Sequence, residues 1–255
     1  MRLIDTHVHL YASEYDSDRE SVTEAARKVG VERLLLPNID LDSYRGMMDL
    51  VAAHPDLCYP MIGLHPCYVD SNYTEQLSFV EAELQKGGYI GIGEIGMDRH
   101  WSLEHIVQQE DALRIQLKWA VHYDLPVALH TRNANDEVIA IIRDLDLPGL
   151  RGVFHCFSGS VKQAQQMIDL GFVLGIGGVV TYKNAGIAEV LAEIPVEHLV
   201  LETDGPYLAP VPHRGKRNAP SYLIHIAEKL AEIKGMPVEE LAEITSINAS
   251  KLFRL

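Results

Sequence analysis

Eight short apolar, β-branched runs recur along this chain, each separated from the next by a stretch long enough for one helix. The runs cover residues 3–8, 33–37, 59–64, 89–95, 127–129, 152–154, 172–176 and 199–201. They start about 20 to 40 residues apart, the spacing of strand–helix units. Their unbroken apolar character predicts strands buried on both faces, as in a parallel sheet. Eight alternations of strand and helix predict an α/β chain closed as a (β/α)8 TIM barrel, with an open doubly wound sheet as the alternative. Such a barrel uses about 250 residues as one domain. This chain has 255, with no linker, charge block or short repeat, so a single domain over 1–255 is expected.

Among the connecting segments, Ser102 is placed to cap a helix carrying Leu103, Ile106, Val107, Leu113, Leu117, Ala120 and Val121 on one face. Leu125-Pro126 ends it. Gly30, Gly87, Gly88 and Gly171 fall where helices should stop. Pro220 opens a further helix, and a last one is expected from Pro237 to Phe253.

The ends of the runs carry the chemistry. His7 and His9 form an H-x-H pair near the C-terminal end of the first run. A strand has period two, so both imidazoles face one way. The fourth run ends in Gly93-Glu94-Ile95-Gly96, the fifth in Leu129-His130, the sixth in Phe154-His155 and the eighth in Leu201-Glu202-Thr203-Asp204. A lone buried His or Asp is usually a satisfied structural group. Six ligand-type side chains at the same end of five strands match the way barrel enzymes build active sites.

His7, His9, Glu94, His130, His155 and Asp204 exceed the three or four ligands one zinc-type ion takes. Two divalent ions sharing a carboxylate use all six, with Glu94 the natural bridge. Such a pair suits hydrolysis of phosphate esters, and Asp204 is placed to hold an ion, accept the proton of water, or both. Mg2+, Mn2+ and Zn2+ all remain open.

Other residues flank this set. His65, after the third run, reaches the same mouth as a substrate-binding or proton-donating group. Arg132 is a candidate phosphate ligand. His213-Arg214-Gly215-Lys216-Arg217-Asn218 gathers three fixed positive charges after the last strand, where barrels often bind phosphate, and Lys183 is placed to add to it. His54, His100, His105, His122, His198 and His225 lack ligand spacing. Gly175-Ile176-Gly177-Gly178 lacks the dinucleotide fingerprint. Trp101 and Tyr207 are expected to pack rather than to stack on a base.

Composition bounds the partners. With 47% apolar and 23% charged residues, the chain is neither disordered nor low-complexity. A net charge of −14 counts against broad adhesion to nucleic acid or anionic membrane, though not against a local positive site. Three cysteines make a disulfide framework unlikely and fit a reducing compartment. Asp5 and the histidines interrupt any apolar leader, and no apolar run approaches a membrane span. A cytoplasmic protein with no membrane association and no obligate protein partner is expected.

The stretches IDTHVHL, IGLHP, IGEIGMD, LHTR, HCFSGS, LETDGPYLAPVPHRGKRNAP and ITSINASKLF follow in order over nearly the whole chain. Together they resemble the TatD family of metal-dependent deoxyribonucleases. The resemblance implies a TIM barrel that hydrolyses DNA phosphodiesters with divalent cations, in a 3′–5′ exonuclease-like manner. It implies that His7, His9, Glu94 and Asp204 hold one ion, and that Glu94, His130 and His155 hold the other. It also places Arg217 and Asn218 near the substrate. The family commonly has an aromatic after the fourth motif, where this chain reads Gly96-Met97-Asp98-Arg99-His100, so substrate preference is expected to differ around that loop. A small-molecule amidohydrolase or phosphoesterase on the same barrel is the alternative function, and a degenerate barrel serving as a scaffold is a third.

Overall fold

The computed structural model describes residues 1–255. The first half runs β1 (Leu3–Asp5), α1 (Arg19–Lys28), β2 (Val31–Pro37), α2 (Leu41–Ala53), β3 (Cys58–Ile62), α3 (Tyr73–Lys86), β4 (Gly91–Gly96) and α4 (Ile106–His122). The second half runs β5 (Val127–His130), α5 (Asn135–Leu145), β6 (Gly152–Phe154), α6 (Val161–Asp169), β7 (Phe172–Ile176), α7 (Ile187–Glu193), β8 (Leu199–Leu201), α8 (Leu223–Lys234) and α9 (Val238–Phe253). The strands pair in parallel in the order β1 to β8. The Thr6 amide donates to the Leu201 carbonyl at 3.0 Å and ties the end of β1 to β8. The eight-stranded barrel is therefore the fold, and the open doubly wound sheet is not.

Two apolar regions hold it together. The larger lies between the strands and the helical ring. The smaller is the barrel interior, where Ile4, Leu35, Met61, Ala128, Val153 and Val200 meet Ala249, Leu252 and Phe253 of α9. The last helix thus plugs the end of the barrel opposite the ligand-bearing strand ends. It is held there by polar contacts as well: Asn248 donates to the carbonyls of Val196 and Leu199 at 2.9 and 2.8 Å, and Ser246 donates to the Arg2 carbonyl at 3.2 Å.

The other end is organised by backbone that departs from regular strands. At Gly96, φ is +147° and a Cβ would lie 2.0 Å from the His130 carbonyl oxygen, so only glycine lets β4 and β5 converge there. On the outside, α4 buries Gln109 and Gln116. Gln109 accepts from the Asp98 amide at 2.9 Å, and Gln116 accepts from the Leu64 amide at 2.8 Å. One helix therefore anchors the loops after both β3 and β4.

Two expectations need correction here. The helix begins at Ile106 rather than after Ser102, whose hydroxyl only accepts from the Glu104 amide in a local turn. The Asp98 carboxylate captures the amides of His100 and Trp101 at 2.8 and 3.1 Å, which holds the chain in a turn before the helix starts. Leu103 and Val107 accordingly lie on the surface, 55% and 73% exposed. β1 ends at Asp5, short of His7, because the Asp5 side chain and the closing strand take over its hydrogen bonds.

Phe253 is almost fully buried against the barrel floor. Phe253→Ala is expected to lower unfolding free energy by about 3–5 kcal/mol. A urea titration would show a lower midpoint with an unchanged slope if the native barrel is retained.

Candidate metal centre

Glu94 sits buried at the centre of the mouth, and its two oxygens face different partners. Oε2 lies 3.0 Å from His7 Nε2 and 3.4 Å from His9 Nε2. Oε1 lies 2.8 Å from His130 Nδ1, 3.0 Å from His155 Nε2 and 3.3 Å from His65 Nε2. Asp204 Oδ1 joins the first group, 3.6 Å from His9 Nε2 and 3.9 Å from His7 Nε2. Asp204 takes the left-handed conformation at φ +57°, and its amide donates to the His7 carbonyl at 2.9 Å. The structure thus brings all six expected ligand-type residues together, and His65 with them.

The far nitrogens of the rings sort them chemically. Tyr11 spends its only proton on the Pro37 carbonyl at 2.5 Å, so His9 Nδ1, 2.9 Å away, must donate to the Tyr11 oxygen. That leaves a lone pair on His9 Nε2, facing Glu94 and Asp204. His155 Nδ1 lies 3.2 Å from Glu202 Oε1, and His130 Nε2 lies 2.8 Å from Asp98 Oδ2. Neutral rings that donate to these carboxylates turn His155 Nε2 and His130 Nδ1 inward as lone pairs. This is the outer-layer orientation typical of metal-bound histidines.

His65 is the opposite case. Its Nδ1 accepts from the Cys67 amide at 3.0 Å, so in the neutral ring Nε2 carries the proton. Atoms of His65, Glu94 and His130 lie within 4.8 Å of one another, yet His65 presents a donor rather than a lone pair.

The acids at the centre also draw protons onto the rings, a positive charge that a bound cation would replace. Burial favours a neutral Glu94, but the neighbouring His65, His155 and His7 charges and the His130 hydrogen bond outweigh it and hold the carboxyl well below its usual range. Asp204 is lowered against burial by the His9 hydrogen bond and the charges of His155 and His7. Burial also favours neutral imidazoles, yet His9 and His155 are held well above the usual range and His130 above it, because acidic neighbours dominate. The pocket calls for positive charge at its centre, and its nitrogen and carboxylate donors fit borderline divalent cations. His7, His155 and Asp204 form one cluster within ligand reach, and His7, His9 and Glu94 another.

Three buried carboxylates in the supporting layer were not singled out from the sequence. Asp98 accepts from His130, and Glu202 accepts from His155 and from the Cys156 amide at 2.5 Å. Glu202 fits only because residue 175 is glycine: a Cβ there would lie 2.2 Å from Glu202 Oε2. Asp5 accepts from the Thr203 amide and hydroxyl at 2.9 and 2.5 Å and from the His7 amide at 3.3 Å. Burial pushes its carboxyl up to about 8, against those hydrogen bonds. The available signal was an acid inside an apolar run, which Ile4-Asp5 and Leu201-Glu202 both display.

Two expected substrate contacts, Asn218 and Arg217, need correction. Asn218 is completely buried, donating to the Thr203 and Tyr207 carbonyls at 2.6 and 2.7 Å, so it shapes the last loop and cannot touch substrate. Arg217 is paired with Asp18 at 2.9 and 2.6 Å and lies over the Tyr15 ring, so its charge is spent fastening that loop. Arg132 is exposed, with its guanidinium over the Trp101 ring. Trp101 and Tyr207 do not pack inside: they are 72% and 52% exposed.

The sequence model of the family described as TatD related DNase matches residues 4–254. The chain belongs to the TatD-related DNase family. It is 39% identical over 254 residues to the "Uncharacterized metal-dependent hydrolase YabD" of Bacillus subtilis, covering 99% of each chain. It is 35% identical over 260 residues to the "3'-5' ssDNA/RNA exonuclease TatD" of Pantoea ananatis, covering 99% of this chain and 100% of that one. The solved structure of YJJV, a TatD homolog from Escherichia coli K12, superposes with a TM-score of 0.94 at 30% identity, covering 100% of this chain and 98% of that one. This TatD-family chain is a metal-dependent hydrolase, and no helix in it is long and apolar enough to cross a membrane.

Asp98→Asn keeps an acceptor for the His100 and Trp101 amides but offers an N–H to His130. The ring is then free to take the other tautomer and lose its inward lone pair. Affinity for Mn2+ is expected to fall about 10- to 100-fold with the circular dichroism spectrum unchanged, as read by isothermal titration.

Proposed function

We propose that this chain hydrolyses DNA phosphodiester bonds from a 3′ end, using two divalent cations. The reading rests on one observation: the two oxygens of buried Glu94 face two separate sets of imidazoles. His7, His9, Glu94 and Asp204 would hold one ion, and Glu94, His130 and His155 the other. Mg2+, Mn2+ or Zn2+ bound there would supply Lewis acidity toward a phosphoryl oxygen and lower the pKa of water. The exonuclease name of the Pantoea ananatis relative supports this choice of substrate.

The chain's own groups divide the remaining work. Asp204 reaches the mouth with one oxygen turned to His9, which leaves the other to accept a proton from attacking water. His65, whose Cys67 contact leaves the proton of the neutral ring on Nε2, would turn that N–H from Glu94 to an oxygen of the phosphate or the departing group. Arg132 supplies a fixed charge at the rim. A chain of net charge −14 repels DNA, so binding depends on these local charges together with the cations, and activity should fall as salt rises. Free Cys58, Cys67 and Cys156 fit a reducing, cytoplasmic setting.

Digestion of 5′-labelled single-stranded DNA, titrated with each metal, tests the reading. Chelation is expected to abolish cleavage. Asp204→Asn is expected to lower turnover about 10²–10⁴-fold with thermal stability in the absence of metal retained. Metal-replete protein that leaves DNA intact but opens lactones, amides or small phosphoesters would overturn the substrate assignment.

A further inference from the structure

The rim of the mouth carries exposed aromatic rings beside the candidate ligands. The Asp98 carboxylate receives the Trp101 amide on Oδ1 and His130 on Oδ2, so one side chain links the Trp101 turn to the metal centre. The Arg99 amide donates to the Arg132 carbonyl at 3.0 Å, which holds this turn against the loop after β5. Arg99 itself is paired with Glu137. The Arg132 guanidinium instead has an indole as its neighbour, its carbon 5.3 Å from the centroid of the Trp101 ring. Arg132 follows the candidate ligand His130 by two residues, on the loop that leaves the end of β5.

Two further rings complete the arrangement on other loops. Tyr207, half exposed, lies edge-on to His9 with centroids 6.1 Å apart. Tyr68, 42% exposed, lies edge-on to His65 at 5.9 Å. Large aromatic surface left in water is costly unless something covers it. Flat rings beside a guanidinium, at the edge of a phosphate-handling centre, match the chemistry of an unpaired nucleotide: a π-face to stack and a phosphate to pair. A base inside a duplex is stacked on both faces and offers no such free face.

We propose that the exposed Trp101–Arg132 pair is a stacking platform for an unpaired base next to the scissile phosphate. Arg132 holds the adjoining phosphate while the indole takes the base. Tyr207 and Tyr68 line the other sides of the opening. The inference rests on the nuclease reading for its substrate class, and it assigns Trp101 a binding role that does not touch the reacting atoms.

The test compares wild type, Trp101→Ala, Trp101→Phe and Arg132→Met on single-stranded (dT)10 and on an abasic tetrahydrofuran 10-mer, which keeps the phosphates and has no base to stack. Trp101→Ala is expected to raise KM for (dT)10 about tenfold, with kcat changed less than about twofold. Trp101→Phe should restore most of the binding, no Trp101 variant should alter KM for the abasic strand, and Arg132→Met should raise KM on both. A phosphorothioate (dT)10 that resists cleavage should quench tryptophan fluorescence in the wild type and not in Trp101→Ala. An unchanged KM for (dT)10 in Trp101→Ala, or equal shifts on both substrates, would overturn the platform while leaving the nuclease reading intact. Binding and quenching without cleavage would uphold the platform and overturn the nuclease reading. Loss of a dimer on sedimentation in Trp101→Ala, with (dT)10 binding unaffected, would instead assign the patch to a second copy of the chain.

Discussion

Burying the Glu94 carboxylate is the constraint around which the mouth of this barrel is built. An ionised carboxylate removed from water costs several kcal/mol or more unless positive or donating groups surround it. No lysine or arginine is among its direct partners; imidazoles from the end of β5 and from the segments just after β1, β3 and β6 surround it. Such a group answers the charge with rings that also bind cations. The glycines of Gly91-Ile92-Gly93-Glu94-Ile95-Gly96 follow from this, since β4 must approach its neighbour closely to bring the carboxylate inward.

The second layer decides what each ring can do. Asp98, Glu202 and the Tyr11 oxygen each accept from the far nitrogen of a histidine and leave a lone pair at the centre. The Cys67 amide does the reverse for His65 and leaves a proton. Rings at nearly equal distances from Glu94 thus separate into ligand-like and acid-like groups without any difference in residue type. An amide against a carboxylate or phenol oxygen makes the distinction.

Fixed positive charge near the mouth is scarce in so acidic a chain. Arg217 and Arg99 are committed to Asp18 and Glu137, and Arg214 lies over the Tyr182 ring at 4.3 Å. On the proposed reading, the cations and Arg132 carry the attraction for phosphate next to the reacting atoms.

Much of this was legible in the chain itself. The count of apolar runs and their spacing pointed to a parallel α/β sheet and favoured the barrel, because burial on both faces leaves a local record in every strand; closure itself is seen only in the contact of β1 with β8. The six ligand-type residues were legible for a related reason: a His or Glu ending an apolar run marks one end of the barrel. The rest depended on contacts between distant segments, which periodicity does not encode. Nothing local to α9 tells that Phe253 enters the barrel floor rather than the outer ring. Arg217 reads as free charge until Asp18 is found against it, and Asn218 reads as a substrate contact until both its amide hydrogens are seen on backbone carbonyls. The protonated nitrogen of each histidine is likewise set by partners from elsewhere in the chain. Sequence determined which groups gather at one rim; tertiary structure decided which face inward, which are spent on holding loops, and which remain open to solvent.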